Sequence, residues 1–155
     1  MFVCAGNICR SPLAHAMFDA EVCRRGLSEY FKSESSGTNG FHVGDLPDER
    51  TRKNARSHGL ELNHISRRFL PQDLEEWDLL LVMDNSNYQN VVRHARSSQQ
   101  KNKVFLYREW DLEDKGSEVP DPYLGGEEGF EEVYQIVKRT TQCLLDDLQE
   151  RVIKS

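Results

Sequence analysis

Met1-Phe2-Val3-Cys4-Ala5-Gly6-Asn7-Ile8-Cys9-Arg10-Ser11-Pro12 passes from apolar residues through a short loop to a proline that suits a helix start. Strand, loop, helix is the unit that presents backbone amides to phosphate. Five residues lie between Cys4 and Arg10, enough to curl the backbone so that several N–H groups point inward and form a nest for a tetrahedral dianion. Inward amides, the positive end of the following helix and the fixed charge of Arg10 all favour the thiolate of Cys4, the reactive form of cysteine. The stretch predicts a phosphate trap, lined by the backbone of Ala5, Gly6, Asn7, Ile8, Cys9 and Arg10, with a nucleophile at its floor.

Working outward, residues 1–3 read as the end of a first strand and residues 12–30 as a helix with Leu13, Ala16, Met17, Ala20 and Cys23 along one side. A second strand fits 31–36, a Gly-punctuated loop 37–46, and a helix 48–58 ended by Gly59. The run at 77–83 is continuous and apolar, as a central parallel strand covered on both faces requires. A helix over 85–95, a fourth strand over 103–107 and a closing helix over 127–152, with Phe130, Val133, Ile136, Val137, Leu144 and Leu148 inward, complete the pattern; residues 96–103 read as a solvated loop. Alternating strands and helices predict a three-layer α/β fold around a four-stranded parallel sheet. A strand order of 2-1-3-4 puts the topological switch beside the first strand, where Cys4 stands.

The chain of 155 residues is expected to form one domain spanning 1–155, with 37% hydrophobic and 30% charged residues. A net charge of −6 argues against a nucleic-acid or anionic-membrane surface, and no apolar run reaches the length of a membrane span. With only three residues before Cys4, no signal peptide is expected, and a cytoplasmic monomer is the expected setting. Cys4, Cys9, Cys23 and Cys143 are too scattered for a disulfide scaffold or a structural zinc site. Cys23 and Cys143 read as small buried hydrophobes within helices. Cys9 shares the loop with Cys4 and could capture it, once oxidised, as a disulfide. The histidines at 15, 42, 58, 64 and 94 are dispersed, so neither a metal site nor a cofactor is expected.

The segment Cys4-Ala5-Gly6-Asn7-Ile8-Cys9-Arg10-Ser11-Pro12 resembles the low-molecular-weight protein tyrosine phosphatases. Asp121-Pro122-Tyr123 resembles the general-acid loop of that family. Between them stand Ser35-Ser36-Gly37-Thr38, Val43-Gly44, Pro47-Asp48, Arg50, His58-Gly59 and Met83-Asp84 in the order the family has them. The resemblance implies the same four-stranded sheet and hydrolysis of phosphotyrosine through a phosphocysteine intermediate. Cys4 would attack phosphorus while Arg10 grips two equatorial oxygens through its planar fork. Ser11, which could otherwise cap the helix, is placed to support the leaving thiolate. Asp121 would protonate the leaving group and then activate water, with activity best on the mildly acidic side. Asn7 matches the residue that holds the loop, helped by Ser36 and His64; Phe41, Tyr123 and Ile8 would wall a slot for a planar phenyl phosphate.

Three departures stand out. Phe41 occupies a position where many eukaryotic members carry Trp, Leu124 replaces a second Tyr, and fewer residues precede the cysteine, which points to a trimmed numbering or a less firmly held first strand. Relatives resembling protein-arginine phosphatases carry Thr where this chain has Ile8. An arsenate reductase on this scaffold would need a further cysteine pair in mid-chain, and nothing between Cys23 and Cys143 supplies one. A non-catalytic phosphotyrosine-binding module would have lost Cys4 or Asp121.

Overall fold

The computed structural model describes residues 1–154. Its centre is β1 (Phe2–Cys4), which pairs in parallel with β2 (Ser35–Gly37) on one side and β3 (Leu80–Val82) on the other; β4 (Val104–Leu106) pairs in parallel with β3. The order β2-β1-β3-β4 is the one expected. Short as it is, β1 is held along both edges. Alternation along the strands divides their side chains between two cores. Phe2, Cys4, Leu81 and Met83 join one with Leu13, Ala14, Phe18 and Val22 of α1 (Arg10–Arg24), Ala55 of α2 (Glu49–Ser57) and Val133, Val137 and Leu144 of α6 (Glu127–Lys154). Met1, Val3, Leu80 and Val82 join the other with Leu74 of α3 (Asp73–Glu76) and Val91 of α4 (Asn85–Val92). Between β1 and β3 the winding reverses, so a crevice opens beyond the carboxyl end of β1.

The element boundaries depart from expectation for local reasons. α1 ends at Arg24 because Gly26, at φ 70°, closes a Schellman turn: Leu27 N–H donates to Val22 O and Gly26 N–H to Cys23 O. It starts at Arg10, with Pro12 still in the first turn, where a missing N–H costs nothing. β2 begins only at Ser35, opposite Phe2, since β1 offers three residues to pair with. Residues 96–103 contain a short helix, α5 (Ser98–Lys101), because the Ser97 hydroxyl accepts from Gln100 N–H and caps it. The buried face of α1 runs through Ala14, Phe18 and Val22, leaving Ala20 and Cys23 in solvent, and Cys143 is half-buried, so neither cysteine is a core hydrophobe. Among the described residues no helix is long and apolar enough to cross a membrane.

One buried charge cluster positions a segment the site depends on. After β4 the chain makes a 3₁₀ turn, Tyr107–Trp110, followed by Asp111, which is fully buried. Asp111 accepts from Arg108 Nε at 2.9 Å, from Arg139 Nε and Nη2 at 2.9 and 3.0 Å, and from Glu113 N–H at 3.0 Å. Arg108 Nη1 in turn donates to Glu118 O at 2.7 Å, and Val119 N–H donates to Met83 O at 2.8 Å just past β3. Residues 118–119 are thereby tied to both neighbours just before Asp121. Burial opposes the charge on Asp111, but the bonds from Arg139, Glu113 and Arg108 outweigh it and bring the carboxyl from 3.8 down to about 2. A depressed folded-state value contributes stability that is complete above the unfolded value and lost as pH falls through the folded one. Asp111→Ala, which takes the shared buried acceptor from two guanidinium groups and leaves them Asp114 and Glu113 as acidic partners, is expected to cost roughly 3 kcal/mol by urea denaturation at neutral pH. The gap between variant and parent should narrow as the pH drops from 3.8 to about 2.

Candidate active site

Cys4 ends β1 at the mouth of the crevice, its side chain 3% exposed. The next residues turn around its sulfur: Asn7 N–H donates to Sγ at 3.3 Å, and the Ser11 hydroxyl lies 3.0 Å from it. The carbonyls of this loop are engaged by its surroundings. Cys4 O accepts from Thr38 N–H, Ala5 O from Asn39 N–H, Gly6 O from the Ser66 hydroxyl and Ile8 O from Asp48 N–H. Among the described residues the peptide bonds are trans, so each N–H points opposite to the carbonyl of its own peptide unit. Anchoring those four carbonyls therefore turns the amides of Ala5, Gly6, Asn7 and Cys9 the other way, as the Asn7 bond to sulfur illustrates.

Asn7 holds this shape. Its backbone has φ 57°, a left-handed conformation that asparagine tolerates better than most residues. Its buried amide is fully used: Nδ2 donates to Ser11 Oγ at 2.7 Å and Ser35 Oγ at 3.1 Å, and Oδ1 accepts from Arg67 N–H at 3.0 Å and His64 Nε2 at 2.9 Å. Because Arg67 N–H can only donate, the atom facing it is the oxygen, and His64 must carry its hydrogen on Nε2. Burial, opposed by Glu34, lowers the pKa of His64 below its ordinary 6.5.

Ser36, expected among the supports, is not one through its side chain. Adjacent strand residues face opposite ways, so the Ser36 hydroxyl turns to Met1 Sδ, and Ser35 is the residue that meets Asn7. Gly37 is required by crowding: a Cβ there would lie 2.7 Å from Ala5 O and 3.0 Å from Asn7 N. Ser11 does not cap the helix; Cys9 occupies the cap position without a side-chain bond.

Arg10 is 3% exposed, yet it lines the pocket above the loop. Its Nη1 donates to Asp84 Oδ2 at 2.8 Å and Val119 O at 3.0 Å, while Nη2 lies 3.6 Å from Asp121 Oδ2. Burial works against its charge, but Cys4 and Asp84 more than compensate and raise its pKa. Asp84 also accepts from Asn87 N–H, capping α4. Asp121, 53% exposed at the rim, accepts through Oδ1 from Tyr123 N–H at 3.1 Å. Its loop is fastened from the far side by Arg50, which donates to Tyr123 O at 2.8 Å, stacks over the Tyr123 and Phe130 rings and is held by Asp48.

Together these groups enclose a cavity of about 200 Å³ with Cys4, Ala5, Gly6, Ile8, Cys9 and Arg10 at its base. Asn39, Phe41, His42 and Tyr123 rise around it, and Asp121 closes one side. Phe41 stands 86% exposed at the lip, and Ile8 and Cys9 pack on Phe130. Burial pushes the Cys9 thiol up to about 12. Sequence reasoning assigned no role to Asp84, Arg50, Ser35 or His42. Asp84 was the most findable, an acid placed directly after the central apolar strand on the crevice side.

Residues 1–154 match the family described as low molecular weight phosphotyrosine protein phosphatase. A low molecular weight protein-tyrosine-phosphatase of Streptomyces coelicolor is 39% identical, the match covering 97% of this chain and 93% of that protein. The corresponding phosphatase of Homo sapiens is 35% identical over 94% of this chain and 92% of its own. Among solved structures, a protein tyrosine phosphatase from Entamoeba histolytica with Hepes in its active site superposes with a TM-score of 0.91 at 38% identity, covering 96% of this chain and 95% of that one. A sulfur ringed by amides at the end of a central parallel strand, backed by a pinned arginine and matched end to end in sequence and fold, is the inheritance of one lineage: the chain belongs to the low molecular weight phosphotyrosine protein phosphatases, cysteine-dependent hydrolases of phosphotyrosine.

Proposed function

We propose that Cys4, Arg10 and Asp121 divide the chemistry between them. The Cys4 thiolate attacks phosphorus in line; the S–P bond forms as the bond to the tyrosyl oxygen breaks, and Asp121 gives that oxygen its proton. Asp121, now a carboxylate, takes a proton from water, which attacks phosphorus and returns the thiolate with release of inorganic phosphate. Ser11 donates its hydrogen bond to the sulfur as it leaves. Arg10 holds two equatorial oxygens, aimed by Asp84 and Val119 O, and the loop amides hold the charge of the transition state. The observation that carries this reading is the convergence of Sγ, the Asn7 amide, the Arg10 fork and the Asp121 carboxyl on one cavity.

Substrate choice follows from depth. With the sulfur at the floor and Phe41, His42 and Tyr123 around the mouth, a planar aryl phosphate reaches it and a short phosphoserine does not. Ile8 adds an apolar contact and no hydroxyl, which favours phosphotyrosine over phosphoarginine. Cys23, exposed on α1, and Cys143, on α6, give no mid-chain pair for arsenate reduction. Phosphotyrosine proteins met by a cytoplasmic monomer, with no nucleic acid and no cofactor taking part in the phosphoryl transfer, are the setting we infer.

Cys9 has a separate role in this proposal. Its high thiol pKa keeps it inert beside the Cys4 thiolate, but peroxide converts Cys4 to a sulfenic acid that condenses with the Cys9 thiol, forming the S–S bond and releasing water.

Cys4→Ser should lower turnover of an aryl phosphate at least on the order of 10⁴-fold while retaining vanadate binding; substantial residual turnover would rule out the sulfur as nucleophile. Asp121→Asn should slow phosphotyrosine peptides by about 10²–10⁴-fold and an activated nitrophenyl ester far less, and an equal loss on both would remove it from the acid role. After a peroxide pulse, dithiothreitol should restore the parent enzyme but not Cys9→Ser, whose sulfenic acid oxidises further; equal recovery contradicts the protective disulfide.

A further inference from the structure

Behind the loop, on the opposite side of Asn7 from the sulfur, three side chains that are far apart in sequence meet. His15 of α1, Glu34 just before β2 and His64 each place one donor atom within 4.8 Å of the other two. All three are largely buried, at 15%, 31% and 16% exposure. Histidines dispersed along the chain are thus gathered by the fold.

The hydrogen-bond pattern settles which atoms face inward. His64 carries its hydrogen on Nε2, donated to Asn7 Oδ1, so its Nδ1 presents a lone pair, 3.5 Å from Glu34 Oε1. The Ser35 hydroxyl, which accepts from Asn7 Nδ2, lies 3.3 Å from His15 Nδ1. That nitrogen also lies 4.0 Å from Glu34 Oε1. The far nitrogen of His15, Nε2, faces Asp19 Oδ2 at 3.3 Å, and since a carboxylate only accepts, the neutral ring carries its hydrogen there and its lone pair on Nδ1. With both rings neutral, two imidazole lone pairs and a carboxylate oxygen converge. Each ring is oriented by an acceptor on its other nitrogen, the outer arrangement that metal-binding histidines use. Glu34 Oε1 is shared with Ser35 N–H, at 2.9 Å.

We propose that His15, Glu34 and His64 bind a zinc-class divalent transition metal, with a water completing a tetrahedron. Two nitrogens and one carboxylate suit zinc and its neighbours rather than calcium or magnesium, which take oxygen. Metal–ligand bonds of about 2.0–2.2 Å set ligand–ligand edges of roughly 3.4 Å. His64 and Glu34 already stand at that edge, 3.5 Å apart, and His15, 4.0 Å from Glu34, would draw in on binding. A cavity of about 60 Å³ borders both His15 and His64, and Glu34 is 31% exposed beside them. Since His64 also holds Asn7, the ion would brace the loop from behind.

Cobalt(II) as a spectroscopic probe, titrated into metal-free parent enzyme and into Cys4→Ser, tests the proposal. One equivalent should bind to both proteins with visible tetrahedral bands and no thiolate charge-transfer band. His15→Ala should weaken cobalt binding by more than about 100-fold, beyond the usual effect of losing an outer partner. Glu34→Gln, which removes only charge, carries the same test should His15→Ala fail to fold by circular dichroism. Zinc should displace the cobalt and magnesium should not. No binding, binding unchanged in His15→Ala and Glu34→Gln, or a thiolate band that disappears in Cys4→Ser would each overturn the assignment.

Discussion

Everything at the mouth of the crevice hangs on the side chain of Asn7. A loop that exposes its amides to an anion must give its carbonyls other partners and adopt a left-handed residue, neither of which a free peptide would sustain. The four hydrogen bonds of the Asn7 amide fasten that residue to Ser11, Ser35, Arg67 and His64 at once. An amide is the one side chain that offers two donors and two acceptor positions on so short a stem. Removing any partner leaves a buried polar atom unsatisfied, at a cost of about 1–3 kcal/mol, so the arrangement is rigid in both directions.

A second set of contacts brings the two halves of the site together. Arg10 and Asp121 lie 111 residues apart in the numbering of the chain, and nothing local joins them. Asp84 orients the guanidinium, Val119 O shares it, and Val119 N–H is tied to the end of β3. Arg50 then clamps the outer side of the Asp121 loop while Asp48, its partner, donates its backbone N–H to Ile8 O of the sulfur loop. The cavity is closed by a ring of contacts running from Ile8 through Asp48, Arg50 and Tyr123 to Asp121 and Arg10. Asp111, buried behind this ring, fixes the approach of the chain to it.

What the amino-acid sequence revealed reflects how local each feature is. The central strand and the helix after Arg10 follow from apolar runs and their alternation, the sheet order comes with the flavodoxin-like pattern and the family resemblance, and all agree with the structure. Boundaries failed where a single residue decided them: Gly26 stopped α1 six residues early, and Ser97 capped a turn inside an apparent loop. Cys4, Arg10 and Asp121 were legible because they lie in two compact motifs. Ser35 was mistaken for Ser36 because strand parity, which decides the face, depends on register that only the paired sheet defines. Asp84, Arg50 and the meeting of His15 with Glu34 and His64 depend on contacts between distant segments, which no spacing records.

Reactivity at Cys4 depends on the geometry that Asn7 imposes, and rapid-quench measurement of phosphoryl transfer to Cys4 in an Asn7→Ala variant tests this most directly. With thermal unfolding establishing that the variant remains folded, formation of the phosphocysteine should slow by about 10²–10³-fold, the scale on which a preorganised oxyanion donor acts. A folded Asn7→Ala enzyme that is phosphorylated at the parental rate would contradict the account.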